Sequence, residues 1–151
     1  MAEEAAKVFL DSNVILSGFL SDKGEPRIIL DLLSLDLPFL SGLTGQYNIL
    51  EIDRNLENKL PEALPVYKEY FPKLSLEIIP LPSKEEIKDY KDIISEKDAP
   101  VLASAVKGGA DYLVTGDKDF LKVKKTRKMP FKILSPQEFL FTIGRERPVC
   151  G

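Results

Sequence analysis

Short runs of consecutive apolar residues alternate along this chain with stretches in which apolar residues recur every three or four positions. The first run, KVFLD (7–11), reads as a short buried strand. After a glycine-containing loop, PRIILDLLSLD (26–36) places Ile28, Ile29, Leu32, Leu33 and Leu35 at helical spacing, with Pro26 suited to the first turn. LPFLS (37–41) is a second apolar run, and Thr44 is expected to N-cap a helix with the stripe Ile49, Ile52, Leu56 and Leu60. Pro61 and Pro65 punctuate that helix, and VYKEYF (66–71) adds a helical turn or two. LEIIPL (76–81) has strand character and is closed by Pro80 and Pro82.

Ser83 and Glu86 form a capping box for the helix KEEIKDYKDII (84–94). APVLASAVK (99–107) is a further helix, following Asp98 and stopping at Gly108–Gly109. DYLVT (111–115) and FKIL (131–134) are two more strands, and Ser135–Pro136 with Glu138 opens a last helix. This alternation predicts an α/β fold, with a parallel sheet covered by helices on both faces. With no internal repeat, low-complexity segment or linker, one domain over 1–151 is expected. Its core would span about 7–142, with a loose tail over 143–151.

Composition narrows the chemistry more than the fold. Hydrophobic residues at 44% and charged residues at 30% are ordinary for a globular chain, and no apolar run approaches the ~18 residues of a membrane span. The start MAEEAAKVFLDSN lacks the regions of a secretory signal, so a cytoplasmic protein is expected. The single cysteine, Cys150, rules out a disulfide framework or a zinc-thiolate cluster. A net charge of −3 gives no global attraction to nucleic acid, so any such binding needs a local basic patch. There is no histidine at all, which removes Ser–His and Cys–His pairs, imidazole bases and imidazole metal sites. Carboxylates, lysine, hydroxyls or a bound metal remain.

The acids fall where such chemistry could use them. In an open parallel sheet, ligands collect at the carboxyl ends of the strands. Asp11 ends the first strand, and Asp117 and Asp119 follow DYLVT. Glu51 lies at the margin of an apolar helical stripe, and Asp98 precedes the helix that leads into DYLVT. Singly, each acid has an ordinary use: Asp98 as an N-cap, Asp117 as a turn residue, Asp119 as the N-cap of FLKV, Glu51 as a solvated helical glutamate. Together they repel one another and raise each other's pKa unless a cation sits among them. An all-oxygen donor set suits Mg²⁺ or Mn²⁺.

VFLDSNVILSGFL, the Glu51 helix, EKDAPVLASAVKGGADYLVTGDKDFL and ILSPQEFL, in that order, resemble the PIN domain (PilT N-terminal domain) over about residues 7–140. The resemblance is nearest to PIN-type toxins of prokaryotic toxin–antitoxin systems. It implies a three-layer α/β/α sandwich and a Mg²⁺- or Mn²⁺-dependent ribonuclease. By position it makes Asp11, Glu51, Asp98 and Asp117 catalytic, with Asp11, Asp98, Asp117 and Asp119 as metal ligands and Asn13 and Thr115 as supports. It also implies a homodimer and a cognate antitoxin. The family's glutamate often stands in a more acidic stretch than NILEIDRNL, where Asp53 is a rival on a different helical face.

The expected reaction is hydrolysis of an RNA phosphodiester, with metal activating water and neutralising phosphate charge. Lys118, Lys122, Lys124, Lys125, Arg127, Lys128 and Lys132 follow the acids and could hold flanking phosphates, unless they simply form a solvated loop. Tyr47 and Phe120 are candidates for base stacking, against core packing. Two other readings are a catalytically silent PIN scaffold that binds RNA or protein, and a haloacid-dehalogenase-type phosphatase. The latter would carry a second Asp where this chain has Asn13.

Overall fold

The computed structural model describes residues 5–146; the side chains of Lys124, Thr126 and Glu146 and the whole of 147–151 lie outside the described residues. Five strands form one all-parallel sheet: β1 (Ala6–Leu10), β2 (Leu40–Gly45), β3 (Glu77–Ile79), β4 (Tyr112–Val114) and β5 (Lys132–Leu134). Their order is β3-β2-β1-β4-β5. The chain therefore builds outward from β1 in one direction, returns, and builds outward in the other. β1 and β4 flank the resulting switch point.

Helices cover both faces. Alternate side chains of β1 enter separate cores: Val8 and Leu10 join α1 (Ser12–Leu20), α2 (Glu25–Ser34), α3 (Gln46–Lys59), α4 (Leu64–Tyr70) and α8 (Pro136–Glu146). Phe9 joins α6 (Ala99–Lys107) and α7 (Lys118–Thr126), and α5 (Lys84–Lys88) packs on α6. Because both faces are covered, β1 reads as a continuous apolar run rather than an alternating one. The result is the expected α/β/α sandwich. Among the described residues no helix is long and apolar enough to cross a membrane.

The structure departs from the sequence reading in several places. No loop follows β1: Asp11 is itself the N-cap of α1, its side chain accepting from the Ser12 N–H. The second strand is not 37–41 but Leu40–Gly45, and Thr44 lies inside it rather than capping α3. The glycines of SGLTG serve close packing within this strand. A Cβ on Gly42 would meet Leu76 Cδ2 at 2.5 Å, and one on Gly45 would meet Asn48 Oδ1 at 2.8 Å. α5 keeps its capping box but stops at Lys88, and the turns that follow bring Tyr90, Ile93 and Ile94 against the second core. α8 has the same reciprocal cap, with Ser135 N donating to Glu138 Oε1 at 2.9 Å and Glu138 N to Ser135 Oγ at 3.1 Å. It runs to Glu146, past the point at which a loose tail is expected to begin.

Phe9 is fully buried in the central strand, with neither edge nor solvent to absorb a cavity. Phe9→Ala is expected to destabilise the fold by about 3–5 kcal/mol, read as a lowered urea midpoint with an unchanged m-value.

Candidate metal centre

The backbone ladder between β1 and β4 ends with Asp11 N donating to Val114 O at 3.0 Å. Beyond that bond the two chains part, into α1 on one face and through Gly116 into α7 on the other. β2 ends alongside, its Thr44 hydroxyl donating to Leu10 O at 2.9 Å, and passes straight into α3. A cavity of about 210 Å³ opens over this point, lined by Asp11, Glu51, Asp98, Asp117, Lys97, Ser12, Asn13 and Asn55 among others.

Asp11 is only 5% exposed. Its Oδ1 accepts from Ser12 N at 2.8 Å and Asn48 Nδ2 at 3.2 Å. Its Oδ2 accepts from the Thr115 hydroxyl at 2.7 Å and Asn13 Nδ2 at 3.2 Å. Burial nonetheless dominates: it pushes the Asp11 carboxyl up to about 6, against the Thr115 and Ser12 hydrogen bonds, with Glu51 and Asp98 pushing the same way. Asn13 and Thr115, the expected supports, also shape the opposite wall. Asn13 Oδ1 accepts from Gly116 N at 3.0 Å, and Thr115 Oγ1 accepts from Asp117 N at 3.0 Å.

Asp98, Asp117 and Asp119 converge most closely, each offering a carboxylate oxygen within 4.8 Å of the other two. Asp98 begins α6 but makes no side-chain cap; its Oδ2 accepts instead from the Ser95 hydroxyl at 3.0 Å. Asp98 is held above its ordinary pKa, first by burial and then by Asp117 and Asp119, with Ser95 opposing. Asp117, not Asp119, caps α7, accepting from Asp119 N at 2.9 Å. Glu51 Oε1 accepts from the Ser12 hydroxyl at 2.8 Å, and Ser12 accepts in turn from Asn48 Nδ2 at 2.9 Å. Asp53 lies apart, close enough to Tyr67 to help raise its pKa.

An all-oxygen set with three carboxylates this close fits a hard divalent cation. Asp11 stands outside the 4.8 Å group, and its four protein donors fill the usual lone-pair positions. An ion would compete there with the longer amide contacts of Asn13 and Asn48.

Sequence reasoning missed Ser12, Asn48, Asn55 and Lys97. Ser12 and Asn48 carry a faint signal: a hydroxyl in the first turn after Asp11, and an asparagine one turn before Glu51 on the buried side of α3. Lys97 carries none, since it is one of several charges in SEKD.

The basic segment is a helix over its first part. Lys118, Lys122 and Lys125 are exposed and share one face of α7, spanning about 10 Å. Lys122 Nζ lies 4.0 Å from Asp119. Arg127 is committed elsewhere: Nη1 donates to Asp89 O at 2.9 Å and the guanidinium covers the Tyr90 ring at 5.3 Å. Lys132 pairs in register with Tyr112, at the sheet end opposite the acids. The Lys124 side chain is outside the described residues. Phe120 is a core residue, 1% exposed, and the half-buried Tyr47 donates its hydroxyl to Lys97 O at 2.7 Å.

Comparison with known proteins agrees with this architecture. No curated protein sequence matches the chain significantly. Solved structures that share the fold include the following three. A chain of VapBC2 from Rickettsia felis, bound to a DNA fragment from their promoter, superposes with TM-score 0.63 at 16% identity, over 85% of this chain and 98% of that one. A chain of FitAcB from Neisseria gonorrhoeae gives 0.60 at 17%, over 86% and 98%. A chain of DNA-bound VapBC from Salmonella typhimurium gives 0.62 at 17%, over 87% and 98%. The family profile for the PIN domain matches residues 7–119, which takes in all five acids, and the chain is a member of the PIN-domain family.

Proposed function

We propose that the protein is a divalent-metal-dependent ribonuclease that hydrolyses RNA phosphodiesters at the carboxylate cluster, as the toxin of a toxin–antitoxin pair. The observation that carries the reading is the convergence of Asp98, Asp117 and Asp119 beside Asp11 and Glu51, at the switch point of a PIN-family sheet. Asp98, Asp117 and Asp119 would hold Mg²⁺ or Mn²⁺, with Asp11 as a further carboxylate beside them. The bound ion would supply charge neutralisation at the phosphate and a more acidic water. Glu51, one oxygen anchored by Ser12, accepts the proton of the attacking water. As the water oxygen bonds to phosphorus, the bond to the departing ribose oxygen breaks, and that oxygen is protonated from solvent. Asn13 and Thr115 keep Asp11 oriented, and the α7 lysines receive flanking phosphates.

The similar chains in VapBC and FitAcB assemblies support a protein antitoxin as partner, and the family resemblance supports a homodimer and a cytoplasmic setting. One observation favours a silent scaffold instead: Asp11 is already saturated by protein donors. Turnover distinguishes the two readings.

With an RNA pool and Mn²⁺, the wild type is expected to cleave and to stop with EDTA. Asp98→Asn and Asp11→Asn, both folded by circular dichroism, should lose more than the roughly 10–100-fold that removal of a metal's outer-shell partner costs. Cleavage that survives EDTA, or both substitutions, would end the reading of a metal-dependent nuclease acting at this cluster.

Replacing Lys118, Lys122 and Lys125 by Gln should flatten the plot of log affinity for single-stranded RNA against log salt by about 0.7 per lysine. An unchanged slope would remove α7 from the binding surface.

Asp11 also sets a pH dependence. Its folded pKa is above its unfolded value, so the folded state holds the extra proton and stability falls as pH rises from about 3.8 through about 6. The displacement corresponds to about 3 kcal/mol. Urea titrations in EDTA at pH 4 and pH 7.5 should show this loss in the wild type, and a flatter profile in Asp11→Asn. Mn²⁺ should recover stability at the higher pH only. A wild type no more pH-sensitive than the variant would contradict the burial argument.

A further inference from the structure

We infer that Lys97 is a catalytic residue of the proposed ribonuclease, its ammonium group contacting a non-bridging oxygen of the scissile phosphate. The inference rests on that functional reading and assigns a role to the one cation among the described residues that line the cavity.

Charge balance asks for such a group. The lining carries Asp11, Glu51, Asp98 and Asp117, with Asp119 close by, and a single divalent ion leaves the site negative. A phosphodiester adds another negative charge, which grows on the non-bridging oxygens during attack. The α7 lysines are less directly placed: Lys118 does not line the cavity, Lys122 lies 4.0 Å from Asp119, and Lys125 sits further along the helix.

Lys97 is placed for the task. Its backbone is fixed, since its carbonyl accepts from the Tyr47 hydroxyl at 2.7 Å. Asp98 N bonds Ser95 O at 3.0 Å and Ala99 N bonds Ser95 O at 2.9 Å, closing the turn that carries Lys97. Its ammonium, in contrast, forms no ion pair among the described residues, although Asp98 follows it in sequence and it lowers the pKa of that acid. A lysine whose purpose was to neutralise the cluster would close on a carboxylate within 4 Å. This one is an exposed residue of the cavity lining, its charge on a flexible stem that an incoming anion can draw in.

The test compares wild type, Lys97→Met and Lys97→Arg in Mn²⁺-dependent cleavage of a short single-stranded RNA. Mn²⁺ binding without RNA is measured by calorimetry. Lys97→Met should lose about 100-fold in kcat with KM little changed, as expected for a donor that acts in the transition state. It should bind Mn²⁺ at least as tightly as the wild type, because a repelling charge is gone. Lys97→Arg should recover most of the rate. Wild-type cleavage with an undiminished Lys97→Met overturns this inference alone, and so does a loss that follows weakened Mn²⁺ binding. A wild type that binds Mn²⁺ and cleaves nothing overturns both this inference and the ribonuclease reading.

Discussion

A carboxylate at the end of the central strand, almost sealed from water, is the constraint around which this molecule is arranged. Asp11 meets it with four donors: the Ser12 N–H and the Asn13 amide from the first turn of α1, Thr115 from the end of β4, and Asn48 from α3. A buried charge without such partners would be driven to its neutral form. The partners come from segments more than 100 residues apart, so satisfying one side chain also fixes β1, β4 and α3 relative to one another. The same contacts set the cavity, since Asn13 and Thr115 pass their remaining hydrogen bonds to the turn that delivers Asp117.

The sheet explains why the cavity lies where it does. Neighbouring strands β1 and β4 send their chains to opposite faces, and the gap between them cannot be filled by either core. Backbone ends, helix starts and small polar side chains line it. Asp11 and Asp117 both cap the helices they precede, so each acid is oriented by ordinary backbone chemistry before any ligand arrives. Asp98 differs in leaving its helix uncapped and turning to Ser95, which keeps its carboxylate at the cavity.

Electrostatically the site is a poor resting state. Burial and mutual repulsion hold Asp11 and Asp98 above their ordinary values, and the hydrogen bonds from Thr115, Ser12 and Ser95 only partly oppose them. Such an arrangement gains from a divalent cation what it lacks in protein countercharge. Lys97 relieves some of it without occupying the centre.

The sequence by itself determined the α/β class, the extent of α6, the capping box that opens α5, the start of α8 at Ser135–Pro136 with Glu138, and the placing of acids at the carboxyl ends of the strands. These features depend on local periodicity, caps and strand ends, which are written in neighbouring residues. It misplaced β2, because the apolar run lies at 37–41 and Thr44 has the chemistry of a helix cap, whereas the strand includes Gly42 and Gly45, packed against Leu33, Leu76 and Asn48. It missed α1, because the cap that starts it is the same aspartate that ends β1. Only the tertiary structure decided that Asn48 and Ser12 link Asp11 to Glu51, that Arg127 is tied to Asp89 and Tyr90, and that Lys97 lines the same cavity as the acids. Each of those contacts joins segments whose separation along the chain carries no periodic signal, so they exist only once the sheet has brought the segments together.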